Sequence, residues 1–112
     1  MDLNVIDIVP TLKAVADETR FRIINLLLTH DLCVGALADR LNMSKAAVSQ
    51  HLRILRKAGL VRGEKRGYWT HYSVDKSAIH RIAEDLIKTT DQIKECHGDE
   101  KDHPCVLKKE GK

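Results

Sequence analysis

The chain has 112 residues, 43% hydrophobic and 31% charged, with a formal net charge of +3. That length holds one domain with a modest core, marginal as an isolated monomer, and the composition excludes a disordered chain. There is no signal-peptide pattern, no apolar run approaches the ~20 residues of a membrane span, and three cysteines are too few for a disulfide scaffold, so a reducing cytoplasm is expected.

Residues 3–16 place Val5, Ile8, Val9, Leu12, Val15 and Ala16 on one helical stripe. Pro10 interrupts it, which predicts either a kinked helix or one that begins at Pro10. Asp17 is a natural N-cap for a second helix over 18–29, with Ile23, Ile24, Leu26, Leu27 and Leu28 as its core. Arg20 and Arg22 flank that helix and are expected in solvent, with a phosphate contact by one of them as the alternative. His30 to Cys33 links to a short third helix, Val34 to Leu41, and Asn42-Met43 is the turn before a fourth. Together the third and fourth helices form a helix-turn-helix unit, whose turn departs from the general signature in having no glycine.

From Met43 to Trp69 the chain reads MSKAAVSQHLRILRKAGLVRGEKRGYW. Val48, Leu52 and Leu55 fall at i, i+4, i+7 and predict a fourth helix with one apolar face. Ser44 is its N-cap, and Gly59 after Ala58 is its stop. Around the other side lie Lys45, Ser49, Gln50, Arg53, Arg56 and Lys57. Leu60 to Arg62 and Tyr68 to Val74 then predict two short strands around Glu64-Lys65-Arg66-Gly67, a basic hairpin. Between Met43 and Val74 seven basic residues stand against Glu64 alone, a local charge of +6, while residues 1–42 carry −2 and residues 75–112 carry −1.

A charge run is usually only a solvated face, but its coincidence with helix, turn and hairpin points to DNA. The fold class expected is mainly α with a small β-hairpin, a winged helix-turn-helix. Its fourth helix is sized for a major groove about 12 Å wide, and the wing can touch the adjoining backbone. Ser49, Gln50 and Arg53 are the candidate base contacts, since Gln suits adenine and Arg suits guanine. Lys45, Arg56, Lys65 and Arg66 are assigned to phosphates, and Ser44, His51 and Lys57 complete the candidate DNA-binding set.

Asp75 or Ser77 caps a last helix predicted over 76–96, in which Ile79, Ile82, Ala83, Leu86, Ile87, Thr90 and Ile93 repeat at three and four. Five turns of apolar face exceed what one small domain covers. With the stripe on the first helix they predict a homodimer built from the two terminal helices; the alternative is a last helix folded back on its own core. Beyond His97 the chain is polar and is expected to be flexible, so residues 1–96 are the folded domain and 97–112 a tail containing Cys and His.

VSQHLRILRKAGLV, the basic hairpin and HYSV together resemble the recognition helix and wing of the ArsR/SmtB family, as do AVADETRFRIINLLL and DLCVGALADRL upstream. The resemblance covers roughly residues 10–90. It implies a homodimeric repressor, not an enzyme, that leaves a double-stranded DNA operator when an inducer binds, often a metal ion or metalloid. One family metal site uses a D-x-H opening on the last helix and a second half about eleven residues on. Here Lys76 and Ala78, then Thr89 and Gln92, stand at those places, which argues against that site.

Family members with thiol sites carry E-L-C-V-C-D-L at the start of the third helix, and this chain reads Asp31-Leu32-Cys33-Val34-Gly35-Ala36-Leu37. A helix N-terminus favours the thiolate form that binds metals, although Cys33 as a small buried hydrophobe is the plain alternative. Cys96-His97 and His103-Pro104-Cys105 add two thiols and two imidazoles, a set suited to a thiophilic inducer such as zinc, cadmium, lead, copper(I) or trivalent arsenic. The candidate inducer ligands are therefore Cys33, Cys96 and Cys105, with His97 and His103. His51 and His71 are expected to be structural or close to DNA, and His80 packed. Two other readings stay open: a repressor of the same fold switched by thiol oxidation or persulfide, and a metal-binding interaction module that does not bind DNA.

Overall fold

In a computed structural model that describes residues 2–92, the elements run α1 (Asp2–Val15), α2 (Glu18–Thr29), β1 (Leu32–Cys33), α3 (Val34–Leu41), α4 (Lys45–Lys57), β2 (Val61–Arg66), β3 (Trp69–Val74) and α5 (Lys76–Thr90). Helix α1 passes through Pro10 rather than beginning there. The bounds of α2 and α3 are those the periodicity predicts. Helix α5 ends at Thr90, where the Asp91 N–H closes on the Lys88 carbonyl, short of the predicted 96; residues 93–112, with Ile93, Cys96, His97, His103 and Cys105, lie outside the described residues, as do the side chains before Ile8.

The helix ends are closed by local chemistry. The Asp17 carboxylate accepts the Arg20 N–H at 3.0 Å, Ser44 Oγ accepts the Ala47 N–H at 3.1 Å, and Asp75 Oδ1 accepts the Ser77 N–H at 3.1 Å, so Asp75 rather than Ser77 is the cap of α5. The turn without glycine works because Asn42 takes the left-handed conformation, φ 57°, while the Met43 N–H reaches back to the Ala38 carbonyl at 3.0 Å. Gly59, φ 77°, ends α4 in the same way, with the Leu60 N–H on the Leu55 carbonyl at 2.9 Å.

The core is one cluster. Ile23 and Leu27 of α2, Leu37 and Leu41 of α3, and Val48, Leu52 and Leu55 of α4 meet Leu60, Val61, Val74 and Ile82. Two expectations need correction. Leu28 is 42% exposed, because a run of adjacent leucines cannot all face one side of a 3.6-residue helix. On α1, Ile8 of the predicted stripe is buried and Leu12 and Val15 are half-buried, joined by Ala14, whereas Val9 and, just past the helix, Ala16 are exposed, so the buried face is narrower on that side than the stripe. On α5 the apolar face is divided: Ile82 is buried and Ala78 and Ile79 pack on the core, while Leu86 and Ile87 further along are 44% and 61% exposed, so the chain's own core covers only the first half of that face.

The sheet has the order β1-β3-β2, all antiparallel. Strand β1 lies in the stretch that the sequence presents only as a link: two residues are too short for a period-2 pattern, and the strand exists because β3 pairs with it. The hairpin turns on Gly67-Tyr68 between the partners Arg66 and Trp69, with Gly67 at φ 67°, the first-position glycine of a type II′ turn.

The Asp17 cap has a pH signature. Its hydrogen bond from the Arg20 N–H holds the carboxyl below the usual carboxylate range. A lowered folded-state value gives stability that is present above the unfolded value and lost as pH falls through the folded one. Thermal melts of Asp17→Ala should show a lower Tm at neutral pH and less further loss on acidification than the parent protein. Asp17→Asn should keep most of the neutral-pH Tm, because Asn also caps, yet lose the share of the acid sensitivity that Asp17 contributes. Equal acid sensitivity in all three proteins would contradict the assignment.

Candidate nucleic-acid interface

Helix α4 turns Val48, Leu52 and Leu55 inward at 0, 2 and 0% exposure, and this fixes what its other face presents. Lys45, Ser49, Gln50, Arg53, Arg56 and Lys57 are all exposed, on a helix of 13 residues, roughly 20 Å at 1.5 Å per residue. Helix α3 packs behind it. Ser44 is exposed; its hydroxyl oxygen accepts the Ala47 N–H, which leaves its proton and one lone pair free.

His51 is half-buried behind this surface, its Nδ1 3.4 Å from Nη1 of Arg20. Arg20 in turn donates through Nε to the Ala14 carbonyl at 2.6 Å. Arg20 is thus not a free surface cation: it ties the last turn of α1 to α2 and to the middle of α4.

On the wing, Lys65 is exposed, as is Arg62. Arg66 is engaged. Its guanidinium donates to Asp31, in the connection before β1, and to Glu64 at 3.3 Å, and the Asp31 hydrogen bond pushes its pKa further above the ordinary arginine value. Arg66 therefore ties the wing to the connection before β1, and Lys65 and Arg62 are the exposed wing cations outside the described ion pairs. The tip also carries two uncharged aromatics, Tyr68 at 96% and Trp69 at 60% exposure. Apolar residues flanking a hairpin glycine were the available signal.

The predicted ion ligands are divided. Cys33 is half-buried, ends β1 and is the N-cap residue of α3, where its side chain makes no capping hydrogen bond. It is paired in register with His71, whose Nδ1 is buried without a hydrogen-bond partner. Among the described residues no three His, Cys, Asp or Glu side chains converge as a ligand set. His80 is exposed on α5 rather than packed. No described helix is long and apolar enough to cross a membrane.

Residues 17–62 match the family model described as bacterial regulatory protein, arsR family. The chain is 38% identical over 84 residues to the transcriptional activator HlyU of Vibrio cholerae, spanning 75% of this chain and 78% of that one. It is 34% identical over 82 residues to a cadmium resistance transcriptional regulatory protein CadC homolog of Staphylococcus aureus, spanning 72% and 68%. Its fold superposes on an ArsR-like transcriptional regulator from Rhodococcus sp. RHA1 with a TM-score of 0.69 and 30% identity, covering 75% and 79% of the two chains. A winged helix-turn-helix with a cationic groove-sized helix and relatives of this kind has one reading: the chain belongs to the ArsR family of bacterial regulatory proteins, DNA-binding transcriptional regulators rather than enzymes.

Proposed function

We propose that the protein is a homodimeric repressor that leaves its operator when a thiophilic ion binds at Cys33, with Cys96, Cys105, His97 and His103 of the tail as further donors. The observation that carries this reading is the position of Cys33, at the joint between the sheet and α3, the helix packed behind α4. Displacing that joint shifts the surface that meets DNA. The cadmium-resistance regulator among the relatives supports an ion as the signal. Exposed Val9, Leu86 and Ile87 on α1 and α5, which pack on each other, support a dimer through these helices.

Allosteric coupling of about 1–3 kcal/mol weakens binding about 5- to 150-fold. A gel shift titrated in parallel with arsenite, cadmium, zinc and persulfide should find an ion that releases the operator to that extent. Cys33→Ser should bind DNA normally and resist release. Release of the triple Cys→Ser protein by the same ion would contradict the proposal, and release by persulfide alone would make the signal thiol chemistry.

Base reading is assigned to Ser49, Gln50 and Arg53. Gln50→Ala should relax preference at one base pair by about 1–3 kcal/mol, and Lys65→Ala should weaken cognate and random DNA alike. Equal effects of both changes on both DNAs, in a fluorescence anisotropy titration, would remove the distinction.

A further inference from the structure

Three strands align a row of side chains on the outer face of the sheet. Cys33 on β1, His71 on β3 and Glu64 on β2 are successive register partners, and opposed residues of an antiparallel pair share a face with Cβ atoms about 4.5–5.5 Å apart. Glu64 is committed to Arg66, at 3.3 Å. Cys33 and His71 are not committed. The Cys33 side chain caps nothing, and the His71 Nδ1 is buried and makes no hydrogen bond. Buried ring nitrogens are nearly always paired, so an orphaned one beside a thiol calls for a partner.

We infer that Cys33 and His71 form the fixed, two-donor half of an ion site that selects a zinc-group dication over trivalent arsenic. An ion about 2.3 Å from sulfur and about 2.0–2.1 Å from nitrogen lets the two donors stand up to about 4.4 Å apart, within reach of directly opposed side chains. Thiolate and imidazole together suit zinc-like ions, whereas a pyramidal arsenic centre is satisfied by thiolates and gains nothing from the imidazole. With no third described donor converging there, the remaining coordination positions are open to water or to further ligands. Binding pins the wing strand β3 to the start of α3, the two parts that hold the wing and α4 in relative position. This link to DNA release rests on the proposed function above.

The test uses the full chain with Cys96→Ser and Cys105→Ser, which leaves Cys33 as its single thiol. Cobalt(II) added without oxygen should produce a thiolate-to-cobalt charge-transfer absorption. Cys33→Ser in that background should abolish it, and His71→Ala should weaken cobalt affinity about 10-fold or more. Should His71→Ala not fold, long-range proton–nitrogen spectra of the unsubstituted ring serve instead: zinc should move the His71 Nδ1 resonance and leave Nε2 protonated. Undiminished cobalt affinity in a folded His71→Ala protein, an Nδ1 unmoved by saturating zinc, or arsenite binding as tight as cadmium in the single-thiol protein would each overturn the inference. Cadmium release that needs Cys33 but ignores His71 would sink this site and leave the proposed function standing. A cobalt band dependent on both residues, with no ion releasing DNA, would do the reverse.

Discussion

Raising salt from about 50 to about 200 mM should weaken operator binding about 10³- to 10⁵-fold, the loss for a protein that neutralises about 6–10 phosphates. Lys45, Arg53, Arg56, Lys57, Arg62 and Lys65 are exposed basic side chains outside the described ion pairs. With about three to five of them per protomer on the DNA backbone, the proposed dimer makes that number of contacts. Anisotropy titrations at several salt concentrations give the slope of log affinity against log salt. Arg56→Ala should flatten that slope by about 1–2, as one contact is lost from each protomer. Arg66→Ala should leave the slope close to that of the parent, because Asp31 and Glu64 already neutralise the guanidinium. A parent slope shallower than about 3, or equal flattening by the two substitutions, would refute this division of the cations.

Leu55→Ala should lower the unfolding free energy by about 2–5 kcal/mol, a large part of the 5–15 kcal/mol typical of a small domain. Leu55 is fully buried on the inner face of α4, and its carbonyl accepts the Leu60 N–H that closes the helix. The cavity left by the missing methyl groups opens beneath α4, the helix proposed to meet DNA. DNA binding should therefore fall with stability, although no DNA-facing side chain has changed. Ser49→Ala, on the exposed face of the same helix, should shift stability by no more than about 0.5 kcal/mol. Urea unfolding of the three proteins measures both effects, and a Leu55→Ala loss below about 1 kcal/mol would mean that the site collapses to fill the space.

Both predictions depend on features that the chain displays locally. Val48, Leu52 and Leu55 recur at the helical period, and Asp17 and Ser44 stand where caps belong; all five behave as their spacing requires. Interactions within one helical turn decide these features, so a short window of residues contains both partners. The local charge of +6 was likewise countable. Together with the order of the motifs, this made the fold and the ArsR family legible. Any set of ion ligands is harder to read from sequence, because it is defined by convergence in space and the candidates Cys33, Cys96 and Cys105 lack any periodic signal.

By itself the sequence determined the helices, their caps and the concentration of positive charge on α4 and the wing, since each follows from side chains no more than a few residues apart. Only the tertiary structure decided which charges are free and which nitrogen has no partner. Arg66 looks identical to Lys65 in a charge count, yet its carboxylate partner Asp31 is 35 positions away; Arg20 meets His51 across 31 positions. Strand β1 exists through its pairing with β3, and that pairing sets Cys33 opposite His71. Chain folding chooses such distant partners by burying the apolar faces together. The polar groups on the other side are brought into register as a consequence, and no local pattern records it.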